Sequence, residues 1–128
     1  MVFGRYNEVK IDTMIIEFQN FFKNDRVSVI VNDYQIIENE ILTSDISTGE
    51  AGVTIIFTND TIKVEIRQVI LTLPCTVALT PTVKVITILN GHKKKFNINL
   101  NKGIYIGFSR KHKWTLRLLQ SEIPFIYD

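Results

Sequence analysis

Two histidines, His92 and His112, and a solitary cysteine, Cys75, are the residues with which this chain of 128 amino acids could attempt nucleophilic or metal chemistry. Nucleophilic hydrolysis needs a base held against Ser, Thr or Cys and a third group that orients the base. Both histidines stand among lysines, in Gly91-His92-Lys93-Lys94-Lys95 and Arg110-Lys111-His112-Lys113. Neighbouring cations disfavour the imidazolium, and no carboxylate lies nearby in sequence to orient either ring. A Gly-x-Ser-x-Gly elbow, a Walker loop, a dinucleotide-binding glycine pattern and Cys/His pairs at zinc spacing are all missing from the sequence. Cys75 cannot form an internal disulfide, and within Leu73-Pro74-Cys75-Thr76-Val77 it reads as a small buried hydrophobe. The expectation is a protein without a catalytic centre, a metal or a cofactor.

Oxygen-bearing side chains gather in one polar stretch, residues 43–52, where Asp45, Ser47, Thr48 and Glu50 resemble a calcium loop in composition alone. The EF-hand requires acids or amides at alternate positions and a glycine at the sixth, and this order does not follow it. Turn formation is the expected job of these residues, with ligand binding as the alternative, since loops on a rigid scaffold often carry function. Asn59-Asp60-Thr61 matches a glycosylation sequon, a pattern common by chance.

A near-neutral total of +2 conceals a division of charge along the chain. Residues 1–65 hold eleven of the 13 acids and five of the 15 bases, while residues 66–128 hold two acids and ten bases. Between Glu65 and Glu122 there is no carboxylate at all. Lys93, Lys94, Lys95, Arg110, Lys111 and Lys113 therefore stand out as a candidate site for an acidic protein surface or a polyanion. A nucleic-acid site would also need stacking aromatics beside the charge. Trp114 follows the basic stretch directly, but its alternation with Leu116 and Leu118 predicts an inward-facing core residue.

The elements that must position these residues are strands. Ile16 and Phe18 alternate with Glu17 and Gln19; Val27, Val29 and Val31 follow the same period; Ile62, Val64 and Ile66 alternate with Lys63, Glu65 and Arg67. Asn24-Asp25, Asn32-Asp33, Asn59-Asp60, Asn90-Gly91 and Asn101-Lys102-Gly103 supply turn chemistry between them. Pro74 and Pro81 bracket a connection that should cross between sheets. The fold class expected is all-β: a two-sheet antiparallel β-sandwich, immunoglobulin-like or jelly-roll-like, formed by residues 1–128 as one domain. Strands near 83–89, 96–100, 104–108 and 114–119 should form a C-terminal four-strand meander. Alternate turns of a meander share an end, which would bring the two basic stretches together.

The apolar closing stretch Ile123-Pro124-Phe125-Ile126-Tyr127 is expected either to complete an edge strand of its own sandwich or to dock on a neighbouring subunit, making Phe125 and Tyr127 candidate subunit contacts. No secretory-type apolar segment opens the chain and no run approaches a membrane span, so a virion or cytoplasmic location without membrane contact is expected. The leading functional expectation is a non-enzymatic interaction or assembly module, of the kind found in a bacteriophage or other virion, with a protein partner or a homo-oligomer. The alternatives are a carbohydrate-binding module that stacks sugars on Tyr105 or Trp114, and polyanion or nucleic-acid binding at the basic stretches.

Overall fold

A computed structural model describes residues 12–73 and 77–127. Among the described residues ten strands form, in chain order: β1 (Met14–Phe18), β2 (Asp25–Val31), β3 (Tyr34–Leu42), β4 (Val53–Phe57), β5 (Ile62–Ile66), β6 (Val69–Leu73), β7 (Thr82–Leu89), β8 (His92–Asn99), β9 (Tyr105–His112) and β10 (Thr115–Ser121). The only helical piece among the described residues is a single 3-10 turn, Leu100–Lys102. The strands make two sheets in a sandwich-like arrangement, a six-strand sheet in the order β10-β9-β1-β4-β5-β6 and a four-strand sheet in the order β3-β2-β7-β8.

Alternation decides which face is buried. Met14, Ile16 and Phe18 of β1, Ile55 and Phe57 of β4, and Ile106 and Phe108 of β9 point at Val27, Val29, Val31, Val83, Val85 and Leu89 of the opposite sheet, and together they form one core. Phe108 is central, with its ring 5.8 Å from Phe18 and 5.2 Å from Phe96, the latter reaching across from β8. The Asn32-Asp33 and Asn90-Gly91 turns hold positive φ at both positions, as tight hairpins of right-handed twist require. The chain between β6 and β7 passes from the six-strand to the four-strand sheet, as the bracketing prolines suggest; Cys75 lies outside the described residues.

Two expectations fail. The six-strand sheet is mixed rather than antiparallel, because β9 runs parallel to β1, pairing Ile15 with Tyr105 and Phe18 with Phe108. The C-terminal meander does not form: β7 and β8 make a hairpin in one sheet, and β9 and β10 make a hairpin in the other. The reason lies at residues 99–103. Leu100 is buried, Asn99 caps the 3-10 turn by accepting from the Asn101 N–H at 3.0 Å, and Gly103 follows at a φ of 140°. This turn carries the chain across the core before β9 begins. Gly103 lies so close to the Ser121 carbonyl that a side chain there would collide with backbone. β8 is left as an edge strand, which suits its run of three lysines.

Candidate functional site

Although the meander is absent, the two basic hairpins still meet, because β8 runs away from its turn and β9 returns to it in the facing sheet. Asn90 is the joint. Its Nδ2 donates to the Lys113 carbonyl at 2.7 Å and to Asp25 Oδ1 at 2.9 Å, and its Oδ1 accepts from the Arg26 N–H at 2.9 Å. Asp25 is buried, accepts from the Lys23 N–H at 2.8 Å, and lies 3.6 Å from Arg110 Nη1. The His92 ring packs on Trp114 with centroids 4.9 Å apart, and Lys113 Nζ lies 5.4 Å from the Trp114 ring centre. Trp114 is 53% exposed rather than a core residue. Lys113 and Trp114 form the turn itself, and a register shift between Thr115 and Leu116 breaks the alternation that would have turned the indole inward.

The six candidate cations share this end but not one face. Lys93, Lys94 and Lys95 belong to β8 rather than to a loop. Lys93 and Lys95 lie opposite Ile88 and Ile86 on the outer face of the four-strand sheet. Lys94 turns to the core side, 5.1 Å over the Phe96 ring. Arg110 also turns inward, to Asp25, while Lys111 lies on the outer face of the six-strand sheet. Neither His92 nor His112 has a carboxylate within ion-pair distance, and no group of three or more His, Cys, Asp or Glu could hold a metal ion, among the described residues.

Thr43 and Ser44 tie the 43–52 loop to Asn24, Phe22 and Gln19, while Asp45, Ser47 and Thr48 spend their side-chain oxygens on the loop's own conformation. Asp45 Oδ1 accepts from Ser47 Oγ at 2.6 Å and from the Ser47 N–H at 2.8 Å, and these bonds hold its carboxyl below the usual carboxylate range. The Asp45 N–H donates to the Glu50 carbonyl at 2.7 Å, and the Glu50 N–H donates to Thr48 Oγ1 at 3.4 Å. Such Asx-type turns need no ligand.

The closing segment crosses the outer face of its own six-strand sheet and adds no strand. Phe125 and Tyr127 are half-buried there, so these candidate subunit contacts are engaged within the chain. The Tyr127 hydroxyl accepts from Gln19 Nε2 at 3.0 Å. Gly107 of β9 makes room, since a Cβ there would lie 2.5 Å from Gln19 Oε1. Burial pushes the Tyr127 phenol up to about 12; the Gln19 bond opposes the shift, and the Glu17 and Glu50 charges add to it. Tyr105 is half-buried on β9 and offers less ring surface than Trp114.

Two features had no advance notice. Phe21, at a φ of 74°, is 73% exposed, whereas its neighbour Phe22 is buried edge-on against Phe18 at 5.9 Å. Two adjacent aromatic residues cannot both enter one core from an extended chain, and that is the signal that could have found it. With Asn20, Ser109, Arg110, Lys111, Arg117 and Leu119, Phe21 lines a cleft of about 550 Å³. The second feature is β6, where Val69 and Ile70 are each 61% exposed and Leu71 is 52% exposed. No family model, curated protein or solved structure matches this chain at a significant level.

Proposed function

We propose that this protein is a non-enzymatic interaction and assembly module, built on a sandwich of immunoglobulin-like or jelly-roll-like kind, and that it works in a virion or another multi-copy assembly. The observation that carries this reading is the edge formed by β6. Each of the other three edges has a guard against pairing: β8 has Lys93, Lys94 and Lys95; β10 has Arg117; β3 carries Glu38 and Glu40 and is broken by register shifts opposite β2. β6 reads Val-Ile-Leu-Thr-Leu, carries no charge or proline, and pairs with β5 in unbroken register.

The partner is a second copy. A two-fold axis at Leu71 would pair β6 with its mate antiparallel and set Ile70 opposite Thr72 of the second copy. Glu65 neighbours Ile70 and Lys63 neighbours Thr72 on β5, so charges of opposite sign would then share each row across the joint. Light scattering behind a size-exclusion column tests this. The expected result is a dimer or larger oligomer that persists at high salt and dissociates in Ile70→Lys, a change at an exposed site that leaves the fold intact. A monomer at every protein concentration would remove the reading.

A second reading, carbohydrate recognition, is supported by the exposed Trp114 ring backed by His92. Glycan-array binding that disappears in Trp114→Ala would favour it over assembly.

A further inference from the structure

We propose that the cleft between Phe21, Lys111 and Arg117 is a nucleotide site, in which a base stacks on the Phe21 ring and its phosphate lies against Lys111 and Arg117. It lies on the outer face of the six-strand sheet, at the strand ends near the basic hairpins, and does not depend on pairing through β6. Four observations carry it.

The first is charge. Among the described residues, three cations line the cleft and no carboxylate does. Arg110 is partly neutralised by Asp25, but Lys111 and Arg117 have no ion-pair partner among the described residues. Two free cations side by side exceed what one carboxylate neutralises and match a phosphate dianion or successive phosphodiesters. The second is the ring. Phe21 is the most exposed aromatic among the described residues and is held at a φ that a side chain of its kind rarely adopts, which aims the ring outward while Phe22 enters the core. With Leu119 in the same lining it offers apolar surface of the sort on which bases stack. The third is the anchor of that ring: Arg110 Nη1 lies 3.5 Å from the Phe21 carbonyl, so the residue that reaches inward to Asp25 also holds the backbone that carries Phe21. The fourth is Asn20, whose side chain makes no hydrogen bond among the described residues; its Oδ1 packs against Gly49, which leaves the Nδ2 donor for a base carbonyl.

A free nucleotide and a unit of a single strand present the same chemistry, and the experiment separates them. Fluorescence anisotropy of a labelled oligothymidylate, titrated across a range of salt, reads the strand; calorimetry with thymidine monophosphate reads the free nucleotide. Binding in either assay supports the site and names its source. Lys111→Ala combined with Arg117→Ala should flatten the log–log salt dependence of strand binding by about 1.4, from about 0.7 for each phosphate that the variant no longer neutralises. Phe21→Gly should weaken binding roughly five- to 150-fold, the range that stacking of one base supplies, with the salt slope unchanged. Glycine also accepts the positive φ, so this variant should melt no lower than the parent, which separates weakened binding from weakened folding. Lys93→Ala with Lys95→Ala, on the outer face of the opposite sheet, should bind as the parent does. Absence of binding to both probes at low salt would overturn the proposal. So would a Phe21→Gly variant that binds unchanged, or binding to anionic lipid vesicles without binding to either nucleotide probe.

Discussion

Glu17 shows how a single residue records its surroundings. On β1 it faces outward, yet the closing segment covers it: burial raises its carboxyl above the ordinary value, a hydrogen bond with Tyr127 opposes the rise, and the nearby Glu50 charge adds to it. A carboxylate with a raised folded pKa binds more protons in the folded than in the unfolded state across the interval between the two values. Stability from this group is therefore present in acid and lost as pH climbs from about 4.5 through the raised value. Glu17→Gln should lift stability at neutral pH relative to the parent and flatten its decline across that interval. Urea unfolding at a series of pH values checks this, and parallel curves for the two proteins would refute it. None of this was legible from the residue alone, since Glu17 alternates with Ile16 and Phe18 like any solvent-facing position.

Among the elements, the hairpins show where local chemistry suffices and where it does not. Asn32-Asp33 and Asn90-Gly91 were readable as turns because Asn, Asp and Gly tolerate positive φ. Arg67-Gln68, between β5 and β6, carried no such signal, yet it adopts φ of 48° and 73°. Its turn is imposed from outside: the Arg67 N–H donates to the Gly52 carbonyl at 2.8 Å, and its Nη2 donates to the Ile41 carbonyl at 3.0 Å, tying it to the edge of the other sheet. Gln68 takes no part in those bonds. Gln68→Gly should therefore raise stability by about 0.5–1 kcal/mol, a gain visible as a higher thermal midpoint; a lower midpoint would mean that the turn is not strained. β1, β2 and β5 were legible from period-2 alternation, whereas residues 34–42, with Ile37 and Ile41 four apart, resisted that scheme and read as a strand only from their β context. Trp114 was misplaced because a single bulge shifts the alternation on which its inward reading rested.

At the scale of the molecule, the two sheets are tied at the basic end by Asp25, which joins the loop before β2 to the Asn90 turn and to Arg110 of the facing sheet. Asp25→Ala would leave Arg110 and the Asn90 amide without their shared acceptor, at a cost of about 2–4 kcal/mol for a buried, bonded carboxylate. The variant should unfold at lower urea, and Trp114 fluorescence should shift as its turn loses the Asn90 tether. An unchanged midpoint would show that core packing alone holds the sheets in register.

Composition and alternation determined by themselves that this chain is all-β, roughly where its strands and most of its turns lie, and that its cations concentrate in two late hairpins. Those are local properties, set by which side chains fit a pleated surface and which tolerate positive φ. The tertiary structure alone decided that the last four strands divide between two sheets, that β9 joins β1 in parallel, and that β6 is an edge strand with Val69, Ile70 and Leu71 exposed. It also decided that Phe21 and Arg117 come to share a cleft with Lys111. These depend on residues as many as 96 positions apart meeting in space, where a buried Leu100 and one tight turn redirect the chain across the core, and no spacing within a single segment encodes them.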